Sequence, residues 1–177
     1  MEPRLLLAHR QISLIIRKFA FQLLEQYPDL SNTAIIGLQP RGVLLSRLIM
    51  EELRSLSGQQ SPLYGELDTT LFRDDYGRGE LHIPKANRIE FSTEGRQVVL
   101  VDDVLYTGRS VRAALDALLH HGRPAKVNLM VLVDRRYNRE LPIAADYSGV
   151  VVDTRARQEI VKVEWTPNDY KVWIRQP

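Results

Sequence analysis

The sequence predicts an α/β fold: a mainly parallel central sheet flanked by helices on both faces, with a short C-terminal hairpin. Three patterns predict it. Residues 34–38 (AIIGL), 98–103 (VVLVDD) and 126–134 (KVNLMVLVD) are near-continuous apolar runs, as strands covered on both faces are. The first two runs each lead through a short loop into a segment of helical periodicity, and strand–loop–helix repeats imply right-handed crossovers between parallel strands. Residues 159–165 (EIVKVEW) and 170–175 (YKVWIR) instead alternate apolar with polar around TPND, which predicts an antiparallel hairpin appended to the sheet.

Taken in order, Ile12, Ile15, Ile16, Phe19, Leu23 and Leu24 fall at helical spacing with Arg17, Lys18, Gln22 and Glu25 between them, so residues 8–26 form an amphipathic helix that Pro28 and Asp29 end. The strand at 34–38 is followed by the turn QPRG and by a helix over 43–53. Residues 55–62 and 74–84, rich in Gly, Ser and Asp, read as loops, and 63–72 (LYGELDTTLF) alternates as a strand. After 98–103, Val111, Ala114, Leu115, Leu118 and Leu119 mark a helix that Gly122 and Pro124 stop. A buried strand at 126–134 and another at 150–153 complete the sheet.

No repeat or Pro/Ser-rich linker interrupts the 177 residues, so a single domain over 1–177 is expected. With no Cys, disulfides, thiolate zinc sites and cysteine nucleophiles are excluded, and the cytoplasm is the expected compartment. The apolar stretch at 5–8 is too short for a signal peptide or a membrane span, so no membrane partner is expected. Lys and Arg total 24 against 22 Asp and Glu, so a basic surface for nucleic acid could only be local. Arginine dominates the cations, and its planar fork suits phosphate oxygens.

The chemistry concentrates in VVLVDDVLYTGRSVRAAL, residues 98–115. In an open parallel sheet ligands bind beyond the carboxyl ends of strands, and this strand carries Asp102 and Asp103 to that edge. Carboxylates accept hydrogen bonds without donating them, which suits the vicinal hydroxyls of a ribose or a hydrated cation. YTGRS then opens a helix whose N–H groups and positive dipole end attract an anion, with Gly108 permitting close approach and Thr107 and Ser110 adding hydroxyls. A sugar diol beside a phosphate is the mark of a 5-phosphoribosyl group. Read alone, the acids could be strand-end caps and Thr107 a helix cap. A P-loop is excluded, since Arg109 replaces the motif's Lys and Asp103 its first Gly, and no GxGxxG occurs.

The paired acids and the TGRS turn resemble the phosphoribosyl diphosphate (PRPP) motif of type I phosphoribosyltransferases. With YGELDTTLFRDD at 64–75, GRPAKVNLMVLVDR at 122–135 and RELPIAADYSG at 139–149, the chain is similar to the bifunctional pyrimidine operon regulatory protein and uracil phosphoribosyltransferase family, from about residue 11 to 149.

The resemblance implies a type I phosphoribosyltransferase fold and transfer of ribose 5-phosphate from PRPP to uracil, giving UMP and diphosphate, with Mg²⁺ bound mainly by substrate. It assigns Asp102 and Asp103 to the ribose hydroxyls as the catalytic acids, directly or through Mg²⁺ and its waters. Val104, Leu105, Tyr106, Thr107, Gly108, Arg109 and Ser110 take the 5-phosphate. GLQPRG at 37–42 becomes the diphosphate loop, with Pro40, Arg41 and Gly42; Pro40 stands where relatives carry Thr. Phe72 to Glu80 correspond to a closing loop in which Arg73 meets diphosphate. Arg135 lies where relatives hold base or phosphate, with Arg136 and Arg139 as alternatives, and main chain around Val151 and Val152 reads uracil, with VVVDTR in place of the family's KNIPTS.

The family also implies UMP-promoted binding to pyrimidine-operon leader mRNA. Arg17 and Lys18 are the candidate RNA contacts on the first helix, where they could equally be its solvated face. Phe21 stands where RNA-binding members carry His. A homodimer or higher homo-oligomer is expected on the same resemblance. The alternative to the enzyme is a UMP-responsive attenuator that keeps the pocket with little turnover.

Overall fold

The structure is a computed structural model that describes residues 3–58, 61–72, 86–154, 159–167 and 169–176. Its elements are β1 (Arg4–Leu7), α1 (His9–Gln26), β2 (Thr33–Leu38), α2 (Arg41–Ser57), β3 (Leu63–Leu67), β4 (Gln97–Leu105), α3 (Arg109–Leu118), β5 (Lys126–Asp134), β6 (Tyr147–Val151), β7 (Ile160–Thr166) and β8 (Asp169–Arg175). Five strands form a parallel sheet in the order β3-β2-β4-β5-β6.

The apolar runs are central strands, and all six residues of β2 are buried. One face of the sheet, with Ile35, Val99, Val101, Met130 and Leu132, packs against Ile12, Phe19 and Leu23 of α1 and Leu45, Ile49 and Leu53 of α2. The other, with Ala34, Ile36, Val98, Leu100 and Val131, is covered by Val111, Ala114, Ala117 and Leu118 of α3. Burying a Leu, Ile, Val or Phe side chain on either face stabilises by about 1.5–3 kcal/mol before chain entropy is subtracted.

Strand order positions the site. The connection from β2 moves outward to β3, whereas β4 lies on the other side of β2 and the chain proceeds from there to β5 and β6. The topological switch therefore falls between β2 and β4, where open sheets hold ligands. β2 stays with β4 only as far as Gly37 opposite Val101, while β4 continues beside β5 to Leu105 opposite Asp134. A crevice opens from Asp102 onward.

Two glycines seat α2 against that crevice. A Cβ on Gly37 would run into Ser46 Oγ and lie 2.9 Å from Val43 Cα; one on Gly42 would run into the Val101 carbonyl oxygen and lie 3.0 Å from Asp102 Cα.

Several predicted bounds shift for local reasons. The acids lie within β4, two residues before its end, because Val104 and Leu105 keep their pairing with β5. β3 stops at Leu67, and residues 70–72 form a 3₁₀ turn: the Asp68 carboxylate accepts from Thr70 N at 2.7 Å and Asp68 N donates to Asn87 Oδ1 at 2.8 Å. α2 runs from Arg41 to Ser57, taking up the first residues of the expected loop at 55–62. β6 occupies Tyr147–Val151, earlier than the expected 150–153. The other expected loop, 74–84, lies outside the described residues.

The C-terminal hairpin forms, but not as an extension of the main sheet. β7 and β8 make a separate antiparallel sheet whose third strand is β1, with Arg4 opposite Ile174 and Leu5 opposite Trp173. Leu7, Val161, Val163, Val172 and Ile174 join the core on α1. Among the described residues no helix is long and apolar enough to cross a membrane.

Gly42→Ala is expected to lower stability by about 1–3 kcal/mol, as overpacking at a backbone contact does, read as an earlier urea midpoint. An unchanged midpoint would contradict the close seating of α2 on β4.

Candidate active site

The carboxyl ends of β2, β4, β5 and β6 gather most of the residues singled out in the sequence. Pro40, Arg41 and Gly42 follow β2 at the start of α2, and the Gln39–Pro40 peptide is cis. Residues 102–110 run from β4 into α3, Arg135 follows β5, and Val151 and Val152 close β6. Arg73, with the expected closing loop beyond Phe72, lies outside the described residues. Arg17 and Lys18 stand apart on α1. Arg17 Nε lies 3.6 Å from Glu52 Oε1 and its guanidinium 5.9 Å from the Phe21 ring centre, while Lys18 Nζ donates to Ser148 O at 3.0 Å.

Asp103 is only 4% exposed, and its Oδ2 is buried without a hydrogen-bond partner. Half-buried Asp102 turns back on the chain, Oδ1 accepting the Asp103 N–H at 2.8 Å. Burial raises the pKa of both carboxyls, that of Asp102 well above the ordinary value, with the Asp103 charge adding to the rise. The Arg41 charge acts in the opposite direction on both. A buried acid oxygen that nothing in the protein satisfies, within reach of a cation's field, is ready for a donor or a metal ion from outside.

The bend after β4 is shaped by Gly108, whose φ of 94° is a left-handed conformation that suits glycine at the start of α3. Thr107 Oγ1 accepts the Arg109 N–H at 3.4 Å. The first turn of an α-helix directs its N–H groups and the positive end of its dipole outward, an arrangement that generally favours an anion. The Arg109 side chain turns to Glu140, with Nε at 2.8 Å and Nη2 at 2.7 Å from Oε2.

The three candidate arginines after β5 differ. Arg135 is 7% exposed: Nε donates to Thr154 Oγ1 at 2.9 Å, Nη2 to Glu159 O at 2.7 Å, and its guanidinium lies 3.9 Å from the Tyr106 ring centre. Its burial lowers its pKa below the usual arginine value. Arg136 points outward, 3.7 Å from Asp134 Oδ2. Arg139 binds Asp134 and the carbonyl oxygens of Leu105 and Tyr106. Sequence reasoning missed Thr154, which links Arg135 to Asn138 Oδ1 at 3.0 Å, and no spacing signalled it. It also missed Asp134, although an acid ending an apolar strand five residues before Arg139 was such a signal.

The raised pKa values set the direction of a pH effect. The unfolded chain ionises these carboxyls near 3.8, the folded chain only higher, so stability falls as pH rises through that window and the penalty is complete above it. Asp102→Asn is therefore expected to raise the denaturation midpoint at neutral pH, the gain fading as pH drops toward the ordinary carboxyl value. A loss of stability at neutral pH would contradict this.

Comparison with known proteins identifies the family and the fold. Residues 5–168 match the phosphoribosyl transferase domain family. The bifunctional protein PyrR of Elusimicrobium minutum is 41% identical over 155 residues, 87% of this chain and 85% of the relative, and that of Acetivibrio thermocellus 46% over 150 residues, 84% and 80%. A pyrimidine operon regulatory protein of Lactococcus lactis subsp. lactis is 44% identical over 146 residues, 82% and 81%. Among solved structures, the fold matches a hypoxanthine phosphoribosyltransferase from Trypanosoma cruzi in a ternary substrate complex (TM-score 0.75, 17% identity, 98% and 95% covered). It also matches one from Staphylococcus aureus (TM-score 0.67, 19% identity, 85% and 78% covered). The chain with this switch-point crevice, its two acids and its glycine-shaped bend thus belongs to the phosphoribosyl transferase domain family, and within it to the bifunctional PyrR family of pyrimidine operon regulatory proteins.

Proposed function

We propose that this protein transfers the 5-phosphoribosyl group of PRPP to uracil, forming UMP and diphosphate. The observation that carries the reading is the unsatisfied, buried Asp103 oxygen in the crevice between β2 and β4, beside the bend that opens α3.

In this reaction the bond from the anomeric carbon to diphosphate breaks, a bond to uracil N1 forms, and the N1 proton leaves. Positive charge grows on the ribose ring and negative charge on diphosphate, so groups fixed in advance on both sides lower the barrier. Asp102 and Asp103 accept the ribose hydroxyls, and their charge favours the cationic ring. Residues 104–110 hold the 5-phosphate through main-chain N–H groups and the hydroxyls of Thr107 and Ser110. Pro40, Arg41 and Gly42 hold diphosphate at the start of α2. Main chain around Val151 and Val152 reads uracil; Val152 N is committed to Asp134 O at 2.9 Å, which leaves the Val152 carbonyl for the N3–H of the base. Arg135 acts on base binding indirectly, through Tyr106 and Thr154.

Mg²⁺ fits the donor set, because hard cations take carboxylate oxygens and Asp103 Oδ2 has no protein partner. Asp102 and Asp103 would hold it through water, and when bound it neutralises charge on the departing diphosphate.

A relative's name, pyrimidine operon regulatory protein, favours a second reading, a regulator of pyrimidine genes, which we take to act by UMP-promoted binding to leader mRNA. On this chain the RNA-facing cations would be Arg17 and Lys18, which must leave Glu52 and Ser148 to reach phosphates. A gel shift with the organism's own leader, at fixed salt because phosphate contacts weaken with salt, should show a complex that UMP strengthens. No UMP-dependent complex ends this reading.

For the enzyme, incubation with PRPP, Mg²⁺ and each nucleobase in turn should release diphosphate with uracil alone. Asp103→Asn should lower kcat/KM on the order of 100-fold or more, as loss of a transition-state electrostatic group does, with an unchanged far-UV spectrum. Silence with every base would leave only the sensing role.

A further inference from the structure

Arg139 stands past the end of β5 with its side chain 15% exposed, and every nitrogen of its guanidinium is engaged by the protein. Nε donates to Ile143 O at 2.9 Å, and Nη1 to Leu105 O at 3.1 Å, Tyr106 O at 2.7 Å and Arg135 O at 3.1 Å. Nη2 pairs with the buried Asp134 carboxylate. A rigid planar fork can serve acceptors lying in several fixed directions, whereas a lysine ammonium is a single point of charge.

Its neighbours act on the same bend. Glu140 N and Leu141 N donate to Thr107 O at 3.0 and 3.2 Å, and the Glu140 carboxylate holds Arg109. A Cβ on Gly108 would sit 3.3 Å from Ile143. The carbonyl oxygens of Leu105, Tyr106 and Thr107 are thus all drawn toward residues 139–141. A trans peptide sends its C=O and the following N–H in opposite directions. The N–H groups of Tyr106, Thr107 and Gly108 are therefore turned away from Arg139, as a set.

We infer that Arg139 is a positioning residue for pentose 5-phosphate: without touching ligand, its side chain fixes the Tyr106 carbonyl and, with Arg135 N, that of Leu105, beside the hold of Glu140 N and Leu141 N on Thr107 O, and so keeps the amides that follow in the orientation that receives the phosphate. The inference rests on residues 104–110 being the 5-phosphate loop. It differs from a purely structural role because Arg139 bonds the loop after β4 and makes no bond to residues 40–42, so its loss acts on one end of the substrate.

The test is calorimetric binding of ribose 5-phosphate and, separately, of magnesium diphosphate to the full chain and to Arg139→Ala and Arg139→Lys. Arg139→Lys keeps the charge beside Asp134 and so guards against a variant that merely fails to fold. Both variants should bind ribose 5-phosphate about 10- to 100-fold more weakly, the scale of losing geometric fixation, with diphosphate affinity unchanged. In turnover, KM for PRPP should rise. Guanidinium ion, added well below denaturing concentrations, should restore ribose 5-phosphate binding to Arg139→Ala and not to Arg139→Lys. Unchanged ribose 5-phosphate affinity in both variants, or equal loss for both probes, overturns the positioning role. If the unaltered protein itself binds no ribose 5-phosphate, the loop reading fails and takes the inference with it.

Discussion

The parting of β2 from β4 after Gly37 and Val101 is the constraint on which the site depends. As long as two parallel strands remain paired, their main-chain groups satisfy one another and nothing remains for a ligand. Once β2 leaves, one edge of β4 is open while the other stays fixed to β5 as far as Leu105. The acids therefore sit on a rigid strand rather than a loop, with the start of α2 against them at Gly42. Geometry held by a sheet needs little reorganisation when charge develops.

The same arrangement costs stability locally. Two adjacent carboxyls, one almost fully buried, are kept in a place that penalises their charge, and one oxygen has no internal partner. Apolar packing on both sheet faces offsets this, with residues such as Phe19, Ile35, Leu45 and Leu100 fully withdrawn from water. Local strain tolerated by a well-packed scaffold is common where binding takes place.

Much of this was legible in the sequence because it is carried by local patterns. The runs at 34–38, 98–103 and 126–134 are strands, the order of elements predicts the parallel sheet, and VDDVLYTGRS marks the bend at the switch point. What escaped depends on contacts between distant residues. RLLL at 4–7 has no alternation to distinguish it, and only its pairing with β8 makes it a strand. The end of β3 is decided by Asp68 and Asn87, nineteen positions apart. Among Arg135, Arg136 and Arg139 the spacing could not choose, since their difference lies in which carbonyls and hydroxyls surround each guanidinium.

The pairing of β1 with β8 has a consequence for how the chain is made. Arg4 emerges from the ribosome early, and its partner Ile174 only after the parallel sheet has been translated. Long-range pairings form late because their loop-closure entropy must first be overcome. Until then Leu7 and the side of α1 under the small sheet lack part of their cover. Translation thus supplies the two partners of this pairing far apart in time, and closing the small sheet has to wait until the strands of the parallel sheet have been made.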